Sequence, residues 1–246
     1  YLQKLIDRMN NGMIKVVTGI RRCGKSYLLF EIFYNYLLQN GVDKEHILVG
    51  NGAAELINAL GHIASGTIAV NLPAFNEYVR CFKNCVIHEI DNSKIDYKMD
   101  VETIKKAIRE CDYTAVINPD NPSGFMLDKE QILALASVAK EAGHKLIIDE
   151  SFVDFADGKR RFTLLDDQFI SENPNVIVIK SISKSYGVPG IRLGLLASSD
   201  KDLIKALRDD MQIWNINSFG EYYLQIYQLF AKDYKKACDA IVNERN

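Results

Sequence analysis

Short apolar runs rich in β-branched residues recur along the chain: IKVVTGI (14–20), TIAVNLP (67–73), CVIHEI (85–90), YTAVINP (113–119), HKLIIDES (144–151), NVIVIKS (175–181) and RLGLLAS (192–198). Most continue without polar alternation, as strands do when helices cover both faces of a parallel sheet. The stretches between them carry helix signals. Asp128 precedes ILALASVAKEAG as an N-cap, and Gly143 stops that helix. Repetition of strand, helix and strand predicts an α/β fold of three layers, α/β/α, around a mostly parallel sheet. Such sheets bind ligands beyond the carboxyl ends of their strands, so the chemistry is expected in the loops that follow the apolar runs.

Composition narrows the classes of function. Lys and Arg number 30 against 32 Asp and Glu, a net charge of -2, so the chain lacks the basic field that drives nucleic-acid binding. An apolar fraction of 48% with 25% charged residues is that of a folded globular protein. No apolar run reaches the roughly 18–20 residues of a membrane span, and YLQKLIDRMNNG lacks the apolar core of a signal peptide. Cys23, Cys81, Cys85, Cys111 and Cys238 form no C-x-x-C pair, so reduced thiols, a cytoplasmic setting and no metal site are expected. From about Ala206 onward the pattern is helical and Tyr-rich. NSFGEYYLQIYQLFAKDYKKACDAIVNE (217–244) reads as one long helix or two short ones, packed on the domain or on a partner subunit.

Two motifs carry chemistry. Gly19-Ile-Arg-Arg-Cys-Gly24-Lys25-Ser26 fits G-x-x-x-x-G-K-[ST] between a strand and the helix KSYLLFEIFYNYLLQN. In that setting backbone N–H groups cradle phosphates, Lys25 meets the outer phosphates and Ser26 reaches Mg²⁺, so ATP with Mg²⁺ is one expected ligand. Residues 1–46 resemble the amino-terminal end of AAA-like prokaryotic ATPases. An ATPase also needs a later strand ending in an acidic residue, and only Asp149-Glu150 imitates one, so phosphate or nucleotide binding without turnover is the expectation there.

The second motif is Ser181-Ile-Ser183-Lys184-Ser-Tyr-Gly-Val-Pro-Gly-Ile-Arg192-Leu-Gly194, directly after NVIVIK. A lysine at the mouth of a parallel sheet, flanked by hydroxyls and followed by an arginine, suits a Schiff-base lysine beside a phosphate-binding set. Upstream, Asp149 ends KLIID, where its carboxylate is placed to pair with a protonated pyridine nitrogen. Asn118-Pro-Asp-Asn121-Pro-Ser-Gly124 ends another strand in a turn. Gly50-Asn-Gly52-Ala53-Ala54-Glu55 opens the helix ELINALGHIAS, whose N-terminus suits a phosphate.

Together, these loops resemble the large domain of fold-type I pyridoxal-phosphate enzymes of the class I/II aminotransferase family. The likeness extends from about Ile47 to the end, and the branch is that of histidinol-phosphate aminotransferases and threonine-phosphate decarboxylases. The resemblance implies that Lys184 carries pyridoxal phosphate as an aldimine and moves the proton, with Asp149 on the pyridine nitrogen. It also implies Asn121 on the ring hydroxyl, Phe75 of P-A-F-N-E-Y stacked on the ring, and the phosphate among Ala53, Ala54, Ser181, Ser183 and Arg192. Phe152 stands where many relatives carry a tyrosine. The implied partners are an amino acid, phosphorylated or not, and a 2-oxo acid, and the implied assembly is a homodimer. The family's small domain has no counterpart in the residues up to Asn246, so the expected division is 1–46, an incomplete ATPase-like segment, and 47–246, a cofactor-binding large domain. Transamination is the expected reaction. Decarboxylation by the same fold and a nucleotide-binding module based on residues 19–26 are the alternatives.

Overall fold

The computed structural model describes residues 42–158, 161–212 and 215–245. Gly19, Gly24, Lys25 and Ser26, together with the run IKVVTGI and most of the ATPase-like segment, lie outside them. Among the described residues, seven strands form one sheet: β1 Ile47–Gly50, β2 Gly66–Leu72, β3 Cys85–Asp91, β4 Tyr113–Ile117, β5 Lys145–Asp149, β6 Val176–Ser181 and β7 Gly194–Ala197. Their order is β1-β7-β6-β5-β4-β2-β3. β2 through β6 pair in parallel, and β7 is antiparallel to both neighbours.

The continuous apolar runs have a simple cause. Successive strand residues point to opposite faces, and each face has its own core. Val176 and Val178 of β6, Leu146 and Ile148 of β5, and Leu195 of β7 enter one core. Ile177 and Ile179, Ile147, and Leu196 enter the other. The first core is closed by α3 (Val101–Glu110), α4 (Lys129–Ala142) and α5 (Asp167–Glu172), through Ile104, Ile108, Ile132, Leu135, Ala139 and Ile170. The second is closed by α1 (Ala53–Ile63), α2 (Glu77–Cys81) and α7 (Lys201–Asp210), through Leu56, Ile57, Leu60, Tyr78, Ile204 and Leu207. This is the expected α/β/α sandwich. β3, at the edge, alternates between part-buried and exposed residues over much of its length, with Val86 70% exposed.

Helix boundaries follow from capping chemistry. Asp128 and Gln131 form a reciprocal capping box at the start of α4, and Gly143 ends it at φ 72°. Asp100 caps α3 and Asp200 caps α7. Beyond α7 the chain departs from the expected continuous helical pattern. Met211 is already extended, and residues 215–217 lead without helix into α8 (Ser218–Ile226), which Asn217 caps. A 3-10 turn, Tyr227–Phe230, then separates α8 from α9 (Ala231–Arg245), so the tail is two helices. β1 was also not among the expected strands; its four residues, ILVG, are too short to show a period.

One close approach sets the relation of sheet to helix. A Cβ on Gly194 would lie 2.3 Å from the Ala53 nitrogen and 2.5 Å from the Gly52 carbonyl carbon, so the start of β7 passes against the first turn of α1. Both contacts are backbone, which cannot rotate away. We expect Gly194→Ala to destabilise the fold by about 1–3 kcal/mol, the range for overpacking a filled site. Urea unfolding of the two proteins checks this, and an unchanged midpoint would contradict the contact.

Candidate active site

The carboxyl ends of β5 and β6 bring the first charged groups together. Asp149 is the last residue of β5 and is 3% exposed. Its Oδ2 accepts from the Tyr78 hydroxyl and its Oδ1 from the Ser151 N–H, each at 2.9 Å. Tyr78 is 0% exposed. Burial raises the Asp149 pKa, because desolvation outweighs the lowering by Ser151, Tyr78 and the Lys184 charge. The Tyr78 phenol is pushed up as well, first by burial and then by the Asp149 charge.

Lys184 lies on α6 (Ile182–Ser185), the turn that follows β6. Its Nζ is 4.5 Å from the centroid of the Phe75 ring and 4.8 Å from that of Phe152. The ammonium therefore meets two aromatic faces while its charge still acts on Asp149. The 3-10 turn Val153–Phe155 that follows Phe152 carries Asp154, paired with the buried Lys180 Nζ at 2.9 Å.

An anion notch lies at the α1 N-terminus. No side chain caps α1, Gly52 sits at φ 88°, and a Cβ there would be 2.6 Å from Arg192 Nη2. Arg192, itself at φ 54°, thus lays its guanidinium over the turn that presents the Ala53 and Ala54 N–H groups. Free helix N–H groups beside a guanidinium are a site for a phosphate-like anion. The antiparallel turn makes this possible: Ser181 of β6 pairs with Gly194 of β7, so Lys184 and Arg192 share one connecting loop.

The Ser183 hydroxyl donates to Leu193 O (3.2 Å) and accepts from Leu193 N (2.6 Å), so it bonds the β6–β7 connection. Ser181 stays at the strand end, its N–H donating to Ser151 Oγ at 3.0 Å. Asn121 is part-buried in a turn that Asn118 holds, through Leu127 and the Asp149 carbonyl. Glu150, which imitated an ATPase acid, accepts from Thr163 Oγ1 at 2.6 Å and from the Leu164 N–H. Sequence reasoning assigned no role to Tyr78 or Ser151. Tyr78 lies on α2 three residues beyond Phe75, whose carbonyl accepts its N–H at 3.2 Å. Among the described residues no group of three or more His, Cys, Asp or Glu is arranged to hold a metal, and no helix is long and apolar enough to cross a membrane.

Comparison with known proteins bears on this geometry. The family model described as aminotransferase class I and II matches residues 34–228. An L-serine phosphate decarboxylase of Sulfurospirillum multivorans is 35% identical over 211 residues, covering 82% of this chain and 53% of that enzyme. The solved structure of a decarboxylase from Sulfurospirillum multivorans superposes with a TM-score of 0.76 at 31% identity, over 89% of this chain and 62% of the other. A histidinol-phosphate aminotransferase of Clostridium acetobutylicum gives 0.72 at 25% identity, over 96% and 67%. The chain spans about half the length, or less, of the curated relatives it matches.

The Tyr78–Asp149 bond yields a signed prediction. The Asp149 pKa is raised in the folded state, so its ionisation costs stability as pH rises from the unfolded value through the folded one. The Tyr78 hydroxyl offsets part of that cost. Tyr78→Phe should therefore lose about 1–2 kcal/mol at pH above the Asp149 titration, where the carboxylate is charged, and less below it. Urea unfolding across pH tests this; a loss independent of pH would show that the hydroxyl does not serve the carboxylate.

Proposed function

The chain belongs to the aminotransferase class I and II family, whose members depend on pyridoxal phosphate, and on that premise we propose that it removes the carboxyl group of a phosphorylated hydroxy amino acid such as O-phosphoserine. The observation that carries the reading is the set at one end of the sheet: Lys184 between two phenylalanine rings, the buried Asp149, and the Arg192-covered α1 N-terminus.

That set fits the cofactor. A phosphorylated pyridine ring requires an anion notch, an apolar face and a buried carboxylate for its nitrogen, and the donor set supplies all three. The cofactor contributes an electron sink for the charge left on an amino acid's Cα when a bond there breaks. In this reading the Ala53 and Ala54 N–H groups, Arg192 and Ser181 hold the phosphate. Asp149 keeps a proton on the ring nitrogen, and the Tyr78 and Ser151 bonds offset part of the desolvation that opposes its charge. Phe75 packs on the ring, and Asn121 donates to the ring hydroxyl, a bond that Phe152 cannot supply. Lys184 Nζ carries the mobile proton, returning it to Cα after carbon dioxide leaves.

Decarboxylation is favoured over transamination by the likeness to the Sulfurospirillum multivorans L-serine phosphate decarboxylase. The second reading, transamination, draws on the histidinol-phosphate aminotransferase likeness, and in it the same Nζ takes the proton from Cα. Which Cα bond breaks depends on which one stands perpendicular to the ring. We also read the chain as one subunit of a homodimer, supported by the exposed Phe219 and Tyr222 of α8 and Leu229 and Phe230 of the 3-10 turn after it. Sedimentation of a monomer at all concentrations would oppose that.

The chain should take up pyridoxal phosphate with a visible absorption band, and borohydride should fix a pyridoxyl group on Lys184. With O-phosphoserine it should release carbon dioxide and phosphoethanolamine, and Lys184→Ala should slow this by at least roughly a thousandfold. A 2-oxo acid in place of carbon dioxide would select transamination, and a colourless protein with an unmodified Lys184 would defeat both readings.

A further inference from the structure

The segment 215–217, where a helix was expected, carries two asparagines whose amides grip opposite walls of the anion notch. On one wall Asn215 Nδ2 donates to Val49 O at 2.5 Å, and Asn215 Oδ1 accepts from Asn51 Nδ2 at 3.1 Å. Those partners flank Gly50 and lead directly into Gly52. On the other wall Asn217 Nδ2 donates to Ile191 O at 2.7 Å, the residue before Arg192. The orientation of that amide is fixed, because its Oδ1 accepts from the Phe219 and Gly220 N–H groups at 3.1 and 2.9 Å as the cap of α8.

Between the two stands Ile216 at φ 66°, a conformation that a β-branched residue adopts only when its surroundings compel it. Its N–H is held by Asn215 Oδ1 at 2.9 Å, and its side chain packs against the first core. A Cβ on Gly220 would come within 3.1 Å of Ile216 Cγ2, so α8 presses on the same residue. The strained turn aims Asn215 and Asn217 at two separate loops from one short segment. An amide suits both places. It donates and accepts at once, and it brings no negative charge beside an anion site, as an aspartate would.

We propose that Asn215 and Asn217 are positioning residues for the phosphate notch: they fix the separation between the Asn51–Gly52 turn and Arg192, and so tune affinity for the phosphate group without touching it. This rests on the reading of the notch as a phosphate site given above. The consequence is selective. Loosening the clamp should weaken binding of a phosphorylated ligand and spare binding of the same ring without its phosphate.

The experiment titrates the full chain with pyridoxal phosphate and, separately, with pyridoxal. Asn217→Ser keeps a hydroxyl acceptor for the α8 cap but is too short to reach Ile191 O, and Asn215→Ala releases the other wall, so each variant tests one side independently. Thermal melts show that the variants fold. The expected result is pyridoxal phosphate affinity lowered about tenfold, with pyridoxal affinity unchanged. An unchanged affinity for pyridoxal phosphate overturns the proposal, and so does an equal loss for both ligands, which marks a general structural role. A wild-type chain that binds the two ligands equally overturns the phosphate reading of the notch itself, and that outcome is separate from a failure of the clamp.

Discussion

Burial of the central strands on both faces is the constraint from which the rest of this architecture follows. In β4, β5 and β6 successive side chains enter one core or the other, and the polar side chains within those strands are few: Thr114, Lys145, Asp149, Lys180 and Ser181. Each fully buried aliphatic side chain contributes roughly 1.5–3 kcal/mol. A helix cap contributes about 1 kcal/mol, so the two cores decide the fold and the caps decide where its helices begin. Because the strand interiors are committed to packing, reactive groups are confined to strand ends and to the turns beyond them. Asp149, the Lys184 turn and the α1 N-terminus all lie at such places.

The reversal of β7 does the second part of the organisation. A parallel crossover after β6 would have carried the chain away through a helix. The antiparallel return instead keeps Lys184 and Arg192 in one loop, closed by Ser183 on Leu193 and by the Ser181–Gly194 pair. β7 then passes so near the first turn of α1 that only glycine fits at position 194, and the guanidinium of Arg192 arrives over Gly52. The anion notch is thus produced by strand direction and close backbone approach as much as by the charge that lines it.

The electrostatics of the site rest on a carboxylate kept from water. Burial opposes the charge of Asp149, and the Ser151 N–H, the Tyr78 hydroxyl and the Lys184 ammonium oppose that effect in turn. A group so held costs stability in the protein alone and is suited to a cationic ring nitrogen. Perturbed groups of this kind are candidates for function, whereas Glu150, equally buried one residue later, shows that burial alone does not make one. Its bonds to Thr163 and Leu164 tie a strap of chain to the sheet.

The layered α/β fold, β2 through β6, the capped helix from Asp128 to Gly143, and the candidates Lys184, Asp149 and Arg192 were legible in the chain because local patterns encode them, whereas Phe75 was implied only by the family resemblance. Continuous apolar runs signal two-sided burial, Asp and Gly signal helix ends, and a lysine in a hydroxyl-rich loop after a strand signals chemistry. What tertiary structure alone decided has no local signature. The direction of β7, the short β1, the Tyr78 hydroxyl on Asp149 across 71 residues, the commitment of Ser183 to Leu193, and the asparagine loop that interrupts the expected helix all depend on segments distant in sequence. A periodicity reports only what a residue does to its own helix or strand. Hydrogen bonds and close backbone approaches between distant segments exist only once the two cores have brought those segments together, so the sequence determined the layers and the candidate residues, and the packed sheet decided how those residues meet.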